Sequence, residues 1–546
     1  MKKIIVWLTL SFLFFVLTSC DQLPINQLPT NYKMATKIQV TYQTIYGTAP
    51  DSISYSIGEG EVRTYTDEML PTLEDHPLPA GRAVFSGWQK NGTEVKVGDP
   101  IGSNDVLNAI WKAAIGYEGE ITYTLGQQLT PVPDSFIKVF QNSETATFGN
   151  AGTRIPTLLV LPNGDLLAFA DYRSGGDIDG NPNTKIEIWC KRSKTNGETW
   201  EEATRVTPKS TGLTSAYGDA GVVYDKTTGD ILVLVVGKMG LFQGTPENSS
   251  HIYVVRSKDK GLTWEEPVDI TNSILGKDCQ DLVRKNWGAG FVASGNGTQL
   301  SSGRLMFSIA VRTTPQTLLN EKGQAKSGQT QNFALFSDDG GNTWQLSDNS
   351  PTANGPVGDS GLKGCGDEAK IVELSDGRLY MQIRPNNSPT WHRRISYSYD
   401  QGKTWTDAEI DTQLPSSASN GDLMYYTSTT AGWDKNRLLC AFDIAPYNGN
   451  NDMSKILGAG SNSNNSPGYP AFFISYDDGK TWTGRCWHQG ISAYSSFNIL
   501  KDGSIGVLVE HGTKWGGQGI SFFRTNVEWI TNGADTGPVR VATDAE

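Results

Sequence analysis

Charged side chains flank a predicted β-hairpin in the middle of the 546-residue chain. Two alternating apolar stretches surround the turn Ser375-Asp376-Gly377, a pattern typical of antiparallel strands joined by a tight turn. Glu368 and Arg384 lie at equal distances from Asp376, one on each strand. The sequence therefore predicts that this carboxylate and this guanidinium face each other at the open end of the hairpin.

Two further hairpins repeat the arrangement. Tyr494 and Glu510 are equally distant from Asp502, which lies in an Asp-Gly turn. Arg154 begins a third apolar hairpin, whose turn is at 162–165. One such hairpin would be explained by the polar residues that any strand end exposes. Three hairpins with matching positions favour a common site.

The residue types at these open ends have complementary chemistry. Arginines bind a carboxylate through paired, charge-assisted hydrogen bonds. A tyrosine hydroxyl has a pKa of about 10, so it needs an adjacent base such as a glutamate before it can act as a nucleophile. The hairpins would bring these charged and phenolic groups together at one site if their open ends converge.

An internal repeat supplies a fold in which they would converge. Five eight-residue segments share the pattern Ser-x-x-x-Gly-x-Thr-Trp, and they occupy 193–200, 257–264, 337–344, 398–405 and 475–482. Each predicts a tight turn between strands, with glycine at a positive φ and tryptophan packed beneath. Such turns, with several short strands between them, are typical of β-propeller blades. We expect an all-β, six-bladed propeller over residues 136–533, with the open hairpin ends at its central mouth.

Composition and charge agree with this fold and exclude other classes. The chain has 60 glycines and 10% aromatic residues, which favours short strands and tight turns over helices. A net charge of −12 argues against a nucleic-acid partner. With five histidines and no Cys-x-x-Cys motif, we expect no metal site and no cofactor.

The motif Thr153-Arg154-Ile155-Pro156 resembles the Arg-Ile-Pro motif of bacterial exo-sialidases, and the five repeats resemble the Asp boxes of that family. The resemblance implies a retaining exo-α-sialidase that removes terminal sialic acid from glycoproteins, glycolipids or oligosaccharides. A sialoside carries a carboxylate on its anomeric carbon, which would repel an anionic nucleophile. A neutral tyrosine avoids this repulsion.

The resemblance also implies roles for the residues at the hairpin ends. Arg154 and Arg384 match arginines that bind the substrate carboxylate, and Glu510 matches the carboxylate that steadies Arg154. Tyr494 matches the nucleophile, and Glu368 matches its base. These five positions together argue for an enzyme rather than a repeat protein with a structural role alone.

Two family positions leave alternatives open. Asp179 matches the family's acid/base aspartate by spacing, and Asp177 is its rival. The family's third arginine normally precedes the last Asp box, but residues 448–470 contain no arginine. Either Arg437 or Lys455 reaches the site, or the carboxylate is held by two arginines only.

Other interpretations of the sequence are a non-catalytic glycan-binding propeller and a glycosidase for a related acidic sugar. Joint presence of the predicted catalytic residues argues against the first. For the second, the missing arginine argues in favour and the pairing of tyrosine with glutamate argues against. Trp287 and Arg312 are further candidates for the pocket lining, with core packing as the alternative for Trp287.

The N-terminus predicts export and a lipid anchor. Two lysines precede an apolar run that ends in Leu-Thr-Ser-Cys, which resembles the bacterial lipobox. We expect residues 1–19 to be a lipoprotein signal peptide, Cys20 to be acylated, and residues 20–36 to form a tether. An ordinary signal peptide with a chance cysteine is the alternative. The expected location is the bacterial cell envelope.

The remaining boundaries follow from composition. Residues 37–115 alternate polar and apolar positions and resemble the small β-grasp-like Listeria–Bacteroides surface repeat. Residues 116–135, which contain two prolines, are predicted to be a linker. Residues 534–546 are predicted to be a C-terminal tail.

Overall fold

β-Strands make up nearly all of the regular secondary structure in the computed structural model. The residues it describes are 36–58, 61–79, 81–141, 152–174, 183–313, 330–355, 366–385, 392–416, 419–444, 469–486, 491–512 and 519–541. The predictions for the signal peptide and for Cys20 lie outside these ranges. No helix in the described ranges is long and apolar enough to cross a membrane.

The first sheet has its own core. Its strands are β1 (Thr36–Gln43), β2 (Ile53–Ile57), β3 (His76–Leu78), β4 (Gly81–Lys90), β5 (Thr93–Val95) and β6 (Asn104–Lys112). Their order is β2-β1-β6-β4-β3, with β5 paired to β4 and with β1 and β6 parallel. Trp88 and Trp111 are almost completely buried between these strands, beside Leu107. The strands thus cover most of the segment that was predicted to be a small β domain.

Six more sheets follow one another in the described part of the chain after residue 136. Strand β7 (Ile137–Gln141) comes first along the chain. The first of the six sheets consists of β8 (Gly152–Val160), β9 (Leu166–Ser174), β10 (Lys185–Ser193) and β11 (Thr204–Arg205). The second contains β12 (Tyr217–Tyr224), β13 (Ile231–Gly237), β14 (His251–Ser257) and β15 (Val268–Asp269). The next consists of β16 (Ala289–Val292), β18 (Thr298–Gln299), β19 (Leu305–Arg312), β20 (Thr330–Ser337) and β21 (Gln345–Leu346), while β17 (Gly295–Asn296) pairs with β12.

The last three sheets are four-stranded. Their strands are β22 (Gly366–Glu373), β23 (Leu379–Pro385), β24 (His392–Ser398), β25 (Glu409–Pro415), β26 (Gly421–Thr427), β27 (Arg437–Ile444), β28 (Tyr469–Ser475), β29 (Thr483–Cys486), β30 (Ile491–Ile499), β31 (Ile505–Gly512) and β32 (Gly519–Thr525). Strand β7 pairs with β32, so a strand from the start of this region completes its last sheet. The four-residue helix α1 (Val527–Ile530) follows, and the Asn526 side chain caps it.

Short 3-10 helices of three residues each connect several strands. They are Asp67–Met69, Pro133–Ser135, Leu213–Ser215, Thr271–Ser273, Arg284–Asn286 and Thr429–Ala431. The prediction of an all-β fold is confirmed, and the succession of small antiparallel sheets is consistent with a β-propeller.

Apolar faces of neighbouring sheets form the core. Phe169 and Ile188 of one sheet pack with Val222 and Val233 of the next, and none of the four is exposed to solvent. The first strands of the sheets adjoin as well, for example β30 with β8 and β22 with β26. Side chains near one end of these first strands therefore meet, although they belong to different sheets.

The repeated turns have the geometry that the sequence predicts. In the second repeat, the Ser257 hydroxyl accepts a hydrogen bond from the backbone of Gly261 at 2.7 Å. The Asp259 carboxylate accepts one from the backbone of Thr263 at 2.9 Å. Gly261 has φ +83°, and the predicted left-handed glycine is confirmed. In the first repeat, the Thr195 hydroxyl takes the place of the aspartate carboxylate.

Both segments predicted to lie outside the propeller contact the six sheets that follow residue 136. In the linker, the Tyr117 hydroxyl donates to the backbone oxygen of Lys501 at 2.6 Å. In the C-terminal segment, Asp535 is buried and bonds to Arg437, and Arg540 forms a β-bridge with Trp433. The described part of the predicted tail is therefore packed against the sheets.

Candidate active site

β-Bulges interrupt the first strands of several sheets at the same end. The pairing shifts between Arg154 and Thr157 in β8, between Gly366 and Ala369 in β22, and between Ser492 and Ser495 in β30. A bulge turns side chains out of the regular alternation, and bulges often lie beside active sites. These bulges direct Arg154, Glu368 and Tyr494 away from their own sheets.

The bulge in β8 holds a β-branched residue in the left-handed region. Ile155 has φ +61°, a conformation that is costly for isoleucine and needs outside support. The support comes from Glu510, whose carboxylate accepts a hydrogen bond from the Ile155 backbone N–H at 2.6 Å. Glu510 therefore stabilises the strained backbone of Ile155, next to which Arg154 is oriented.

Glu510 also fixes the arginine itself. Arg154 Nε lies 3.2 Å from both carboxylate oxygens of Glu510, and Nη2 donates to Oε2 at 3.0 Å. Glu510 is fully buried, whereas 19% of the Arg154 side chain is exposed. Burial lowers the pKa of Arg154, but the charge and hydrogen bonds of Glu510, together with Tyr494, raise it further than burial lowers it. The guanidinium is therefore a fixed positive charge with one accessible edge.

Tyr494 is held by residues of another sheet. Its hydroxyl donates to Glu368 Oε1 at 2.5 Å and accepts from Arg384 Nη1 at 2.9 Å. Arg384 Nη1 also bonds to Glu368 Oε2. The Arg154 guanidinium carbon lies 5.2 Å from the centre of the Tyr494 ring. We call Arg154, Glu368, Arg384, Tyr494 and Glu510 the bulge cluster.

The electrostatics of the bulge cluster favour an anionic glutamate beside a neutral phenol. Burial raises the pKa of Glu368, but Arg384 and the Tyr494 hydroxyl lower it further than burial raises it. Burial raises the pKa of Tyr494 well above its usual value, with Arg384 opposing. Glu368 is consequently ready to accept the phenolic proton when the oxygen attacks an electrophile.

Three polar residues near the cluster were not predicted from the sequence. Burial and the adjacent Glu368 charge raise the pKa of Asp367 to about 7. Arg173 on β9 donates to Asp171 at 2.8 Å and lies 3.5 Å from Asp219. Asp219 has φ +57° at a bulge in β12, the same strand end as in the bulge cluster. The position of Arg173 at an open hairpin end was a usable signal, but a bulge cannot be read from the sequence.

The other predicted candidates lie elsewhere or outside the described residues. Arg437 is fully buried at the start of β27 and forms ion pairs with Asp434 and Asp535. The alternative in which Arg437 reaches the site is therefore wrong, because its guanidinium is already enclosed by these carboxylates. Asp177, Asp179 and Lys455 lie outside the described residues.

Core packing explains one of the two further lining candidates. Trp287 is buried, and its ring centre lies 5.1 Å from that of Phe333. Arg312 is buried at the end of β19 and donates to the backbone oxygen of Gly244. Among the residues that the structure describes, no group of three or more His, Cys, Asp or Glu side chains could hold a metal ion.

Comparison with known proteins shows what the chain and its fold are similar to. Residues 164–431 match the BNR repeat-like domain family. The chain is 31% identical to the sialidase of Micromonospora viridifaciens over 414 residues, 73% of this chain and 56% of that protein. It is 24% identical to the sialidase of Bacteroides fragilis over 390 residues, 66% of this chain and 60% of that protein. The chain thus spans little more than half of these relatives.

A fungal relative and two solved structures agree. The exo-alpha-sialidase of Aspergillus fumigatus is 26% identical over 419 residues, 70% of this chain and 85% of that protein. The Hadza microbial sialidase Hz136 aligns with a TM-score of 0.51 and 22% identity, over 69% of this chain and 66% of its own. A point mutant of the NanB sialidase from Streptococcus pneumoniae aligns with a TM-score of 0.53 and 18% identity, over 73% of this chain and 72% of its own.

The solved structures show a shared fold, and the curated relatives named above are sialidases. The chain is an Asp-box protein with a propeller-like, all-β fold and a buried tyrosine–glutamate–arginine cluster. These matches confirm the resemblance to sialidases with BNR (Asp-box) repeats that the motifs predict.

Proposed function

We propose that this protein is a retaining exo-α-sialidase, a glycoside hydrolase that removes terminal sialic acid from glycoproteins, glycolipids or oligosaccharides. The observation that carries this proposal is the contact of Tyr494 with Glu368 and Arg384 across two sheets. A buried phenol bonded to a carboxylate and next to two guanidinium groups suits a substrate with a carboxylate on its reacting carbon.

The first step forms a bond to Tyr494. Its oxygen attacks the anomeric carbon while Glu368 accepts the phenolic proton, and Asp179 protonates the departing glycosidic oxygen. Arg154 and Arg384 hold the substrate carboxylate and so fix the ring relative to the phenol. Because the guanidinium groups are already oriented by Glu510 and Glu368, little reorganisation is needed when the substrate binds.

The second step reverses the first with water. Asp179 accepts a proton from the water, whose oxygen attacks the anomeric carbon from the side that the leaving group left. The bond to Tyr494 breaks, and Glu368 returns the proton to the phenolic oxygen. Two inversions give net retention of configuration.

The six sheets after residue 136 support six propeller blades, closed by the pairing of β7 with β32. In this arrangement the bulged strand ends surround one mouth, and the Asp-box turns lie at the opposite ends of their strands. We further propose that acylation of Cys20 anchors the enzyme in the bacterial cell envelope. A Cys20→Ser variant that stays in the membrane fraction of the producing cells would contradict the anchor.

The test of the activity is release of free sialic acid from a fluorogenic aryl sialoside, with α2,3- and α2,6-sialyllactose assayed in parallel. We expect turnover of all three by the wild-type protein, while lactose without sialic acid stays intact. A non-catalytic glycan-binding propeller would bind sialyllactose without releasing product.

A glycosidase for a related acidic sugar is the second candidate. One observation favours it: in the described residues, Arg154 and Arg384 are the guanidinium groups in contact with Tyr494, and Arg437 is not among them. Turnover of an aryl glycoside of a different acidic sugar, faster than turnover of the sialoside, would select this candidate.

A further inference from the structure

A second layer of buried polar residues lies directly below the bulge cluster. Lys370 follows Glu368 by two residues on β22, and Ser496 follows Tyr494 by two residues on β30. Both side chains are buried. Each lies just past the bulge that holds a proposed catalytic residue, where regular pairing of the strand has resumed.

Asp422 of β26 connects this layer to β30. Its Oδ2 accepts a hydrogen bond from the Ser496 hydroxyl at 2.8 Å and another from the Asn296 amide at 2.6 Å. The Ser496 hydroxyl in turn accepts from the backbone N–H of Leu158 on β8 at 3.1 Å. Four sheets are thus joined at one level, two residues below the nucleophile.

Lys370 brings β22 into the same group. Its ammonium donates to the backbone oxygen of Ser294 and lies 3.5 Å from Asn420 Oδ1. A Cβ atom on Gly295 would lie 3.1 Å from Lys370 Nζ and 3.7 Å from Asp422 Oδ2, so ammonium and carboxylate border the same point. Gly295 also has φ +100°, which excludes most other residues there.

Burial makes this group an expensive choice for stability alone. Burial lowers the pKa of Lys370 to about 8, against the opposing charges of Asp422 and Glu368 and with the help of the Arg393 charge. Burial also raises the pKa of Asp422, against the charge of Lys370. Buried charged groups are often replaced by apolar residues of similar volume without loss of stability, so two of them at this level call for another role.

We propose that Lys370, Asp422 and Ser496 form a positioning layer that sets the contact between Tyr494 and Glu368. This inference rests on the proposed function, because it concerns the geometry of the nucleophile and its base. Tyr494 and Glu368 belong to different sheets, so their 2.5 Å contact depends on how β22 and β30 are spaced. Lys370 bonds to Ser294 and approaches Asn420. Asn296 and Asp422, each two residues further along the chain, bond to each other, and Asp422 bonds to Ser496. A chain of contacts thus runs from β22 to β30 past the start of β26.

The test uses two variants of the layer and one matched control. Lys370→Met removes the ammonium and keeps the length of the side chain, and Ser496→Ala removes one hydroxyl. Ser308→Ala is the control, because the buried Ser308 hydroxyl also bonds to β22, through the backbone oxygen of Ala369 at 2.6 Å, but has no link to the layer. All three are compared with the wild type by kinetics, thermal unfolding and crystallography.

We expect kcat on the aryl sialoside to fall by about 10- to 100-fold in Lys370→Met and Ser496→Ala, the scale of a misplaced catalytic pair. KM should stay within about two-fold, since the carboxylate-binding arginines are untouched. In crystals of both variants, the distance between Tyr494 Oη and Glu368 Oε1 should exceed about 3.2 Å, beyond a good O–H···O hydrogen bond. Ser308→Ala should lower the melting temperature alone.

An unchanged Tyr494–Glu368 contact in both layer variants would overturn the proposal, as would an equal loss of kcat in Ser308→Ala. If Lys370→Met does not fold, Ser496→Ala decides. Failure of the proposed function looks different: the wild-type protein then releases no sialic acid, and the crystal comparison still decides whether the layer sets the contact.

Discussion

Carboxylates serve two opposite purposes in this molecule, in the Asp-box turns and in the bulge cluster. In an Asp box, Asp259 is bonded by Ser257, Leu262 and Thr263, all within four residues along the chain. In the bulge cluster, Glu368 is bonded by a tyrosine 126 residues away. In the first arrangement the carboxylate is hydrogen-bonded by residues of its own turn. In the second it is hydrogen-bonded by a side chain of another sheet.

The pKa shifts express the same difference. Slight burial opposes the ionised form of Asp259, but hydrogen bonds from Thr263 and Ser257 lower its pKa to about 2. In the bulge cluster, burial and the Glu368 charge raise the pKa of the neighbouring Asp367 to about 7. A carboxylate near the solvent that accepts hydrogen bonds from its own turn stabilises that turn. Carboxylates crowded together in a buried site instead change protonation in the pH range where an enzyme works.

The largest expected effect comes from removing the phenolic oxygen. Tyr494→Phe should lower kcat on the aryl sialoside by about 10³-fold or more, the scale of losing a covalent catalyst. The ring and its contact with Arg154 remain, so the melting temperature should change little. Near-native turnover in this variant would show that Tyr494 is only a buried tyrosine.

Next in size is the effect of the proposed acid. Asp179→Asn should lower turnover of sialyllactose by about 10²-fold or more, because its leaving oxygen needs a proton. Turnover of an activated aryl sialoside should be reduced less. Asp177→Asn is the matched control, and the same leaving-group pattern in Asp177→Asn instead would exchange the two assignments.

A smaller effect should appear in the pH profile. Below about pH 7, Asp367 is mostly protonated and neutral. Above this pH, Asp367 is mostly ionised, and its added negative charge repels the substrate carboxylate. We expect kcat/KM to fall as pH rises through this range, and Asp367→Asn to exceed the wild type by about 3- to 10-fold at pH 8.5. Superimposable profiles for the two proteins would contradict this role of Asp367.

The smallest effect on catalysis should come from the Asp boxes. Asp400 accepts hydrogen bonds from Ser398 and from the backbone and hydroxyl of Thr404. Asp400→Ala should cost about 1 to 2 kcal/mol of unfolding free energy, measured by urea denaturation. The kcat of the folded fraction should match the wild type. A catalytic defect without loss of stability would remove the contrast between the two kinds of carboxylate.

The sequence predicted best what is encoded locally. Asp boxes are visible because Ser257, Asp259 and Gly261 contact one another within a few residues. The hairpins around Asp376 and Asp502 were visible for the same reason, and their symmetry located Glu368, Arg384, Tyr494 and Glu510 without any view of the sheets.

What the sequence did not reveal depends on contacts between sheets. The bulge at Ile155 and its bond to Glu510 join positions 355 residues apart. The layer of Lys370, Asp422 and Ser496 comes from three sheets and has no common sequence pattern. Arg437 shows the same limit: its position upstream of the last Asp box left it an open alternative for the site, and nothing in the sequence reveals its partner Asp535, 98 residues away.

The stereochemistry of the first product tests the central claim most directly. Hydrolysis of an α-linked aryl sialoside, followed by proton NMR from the first seconds, reports which anomer of sialic acid is released. Attack by Tyr494 followed by attack by water predicts the α-anomer first, with slow mutarotation to the β-anomer afterwards. Release of the β-anomer first would mean direct attack by water, and Tyr494 could not be the nucleophile.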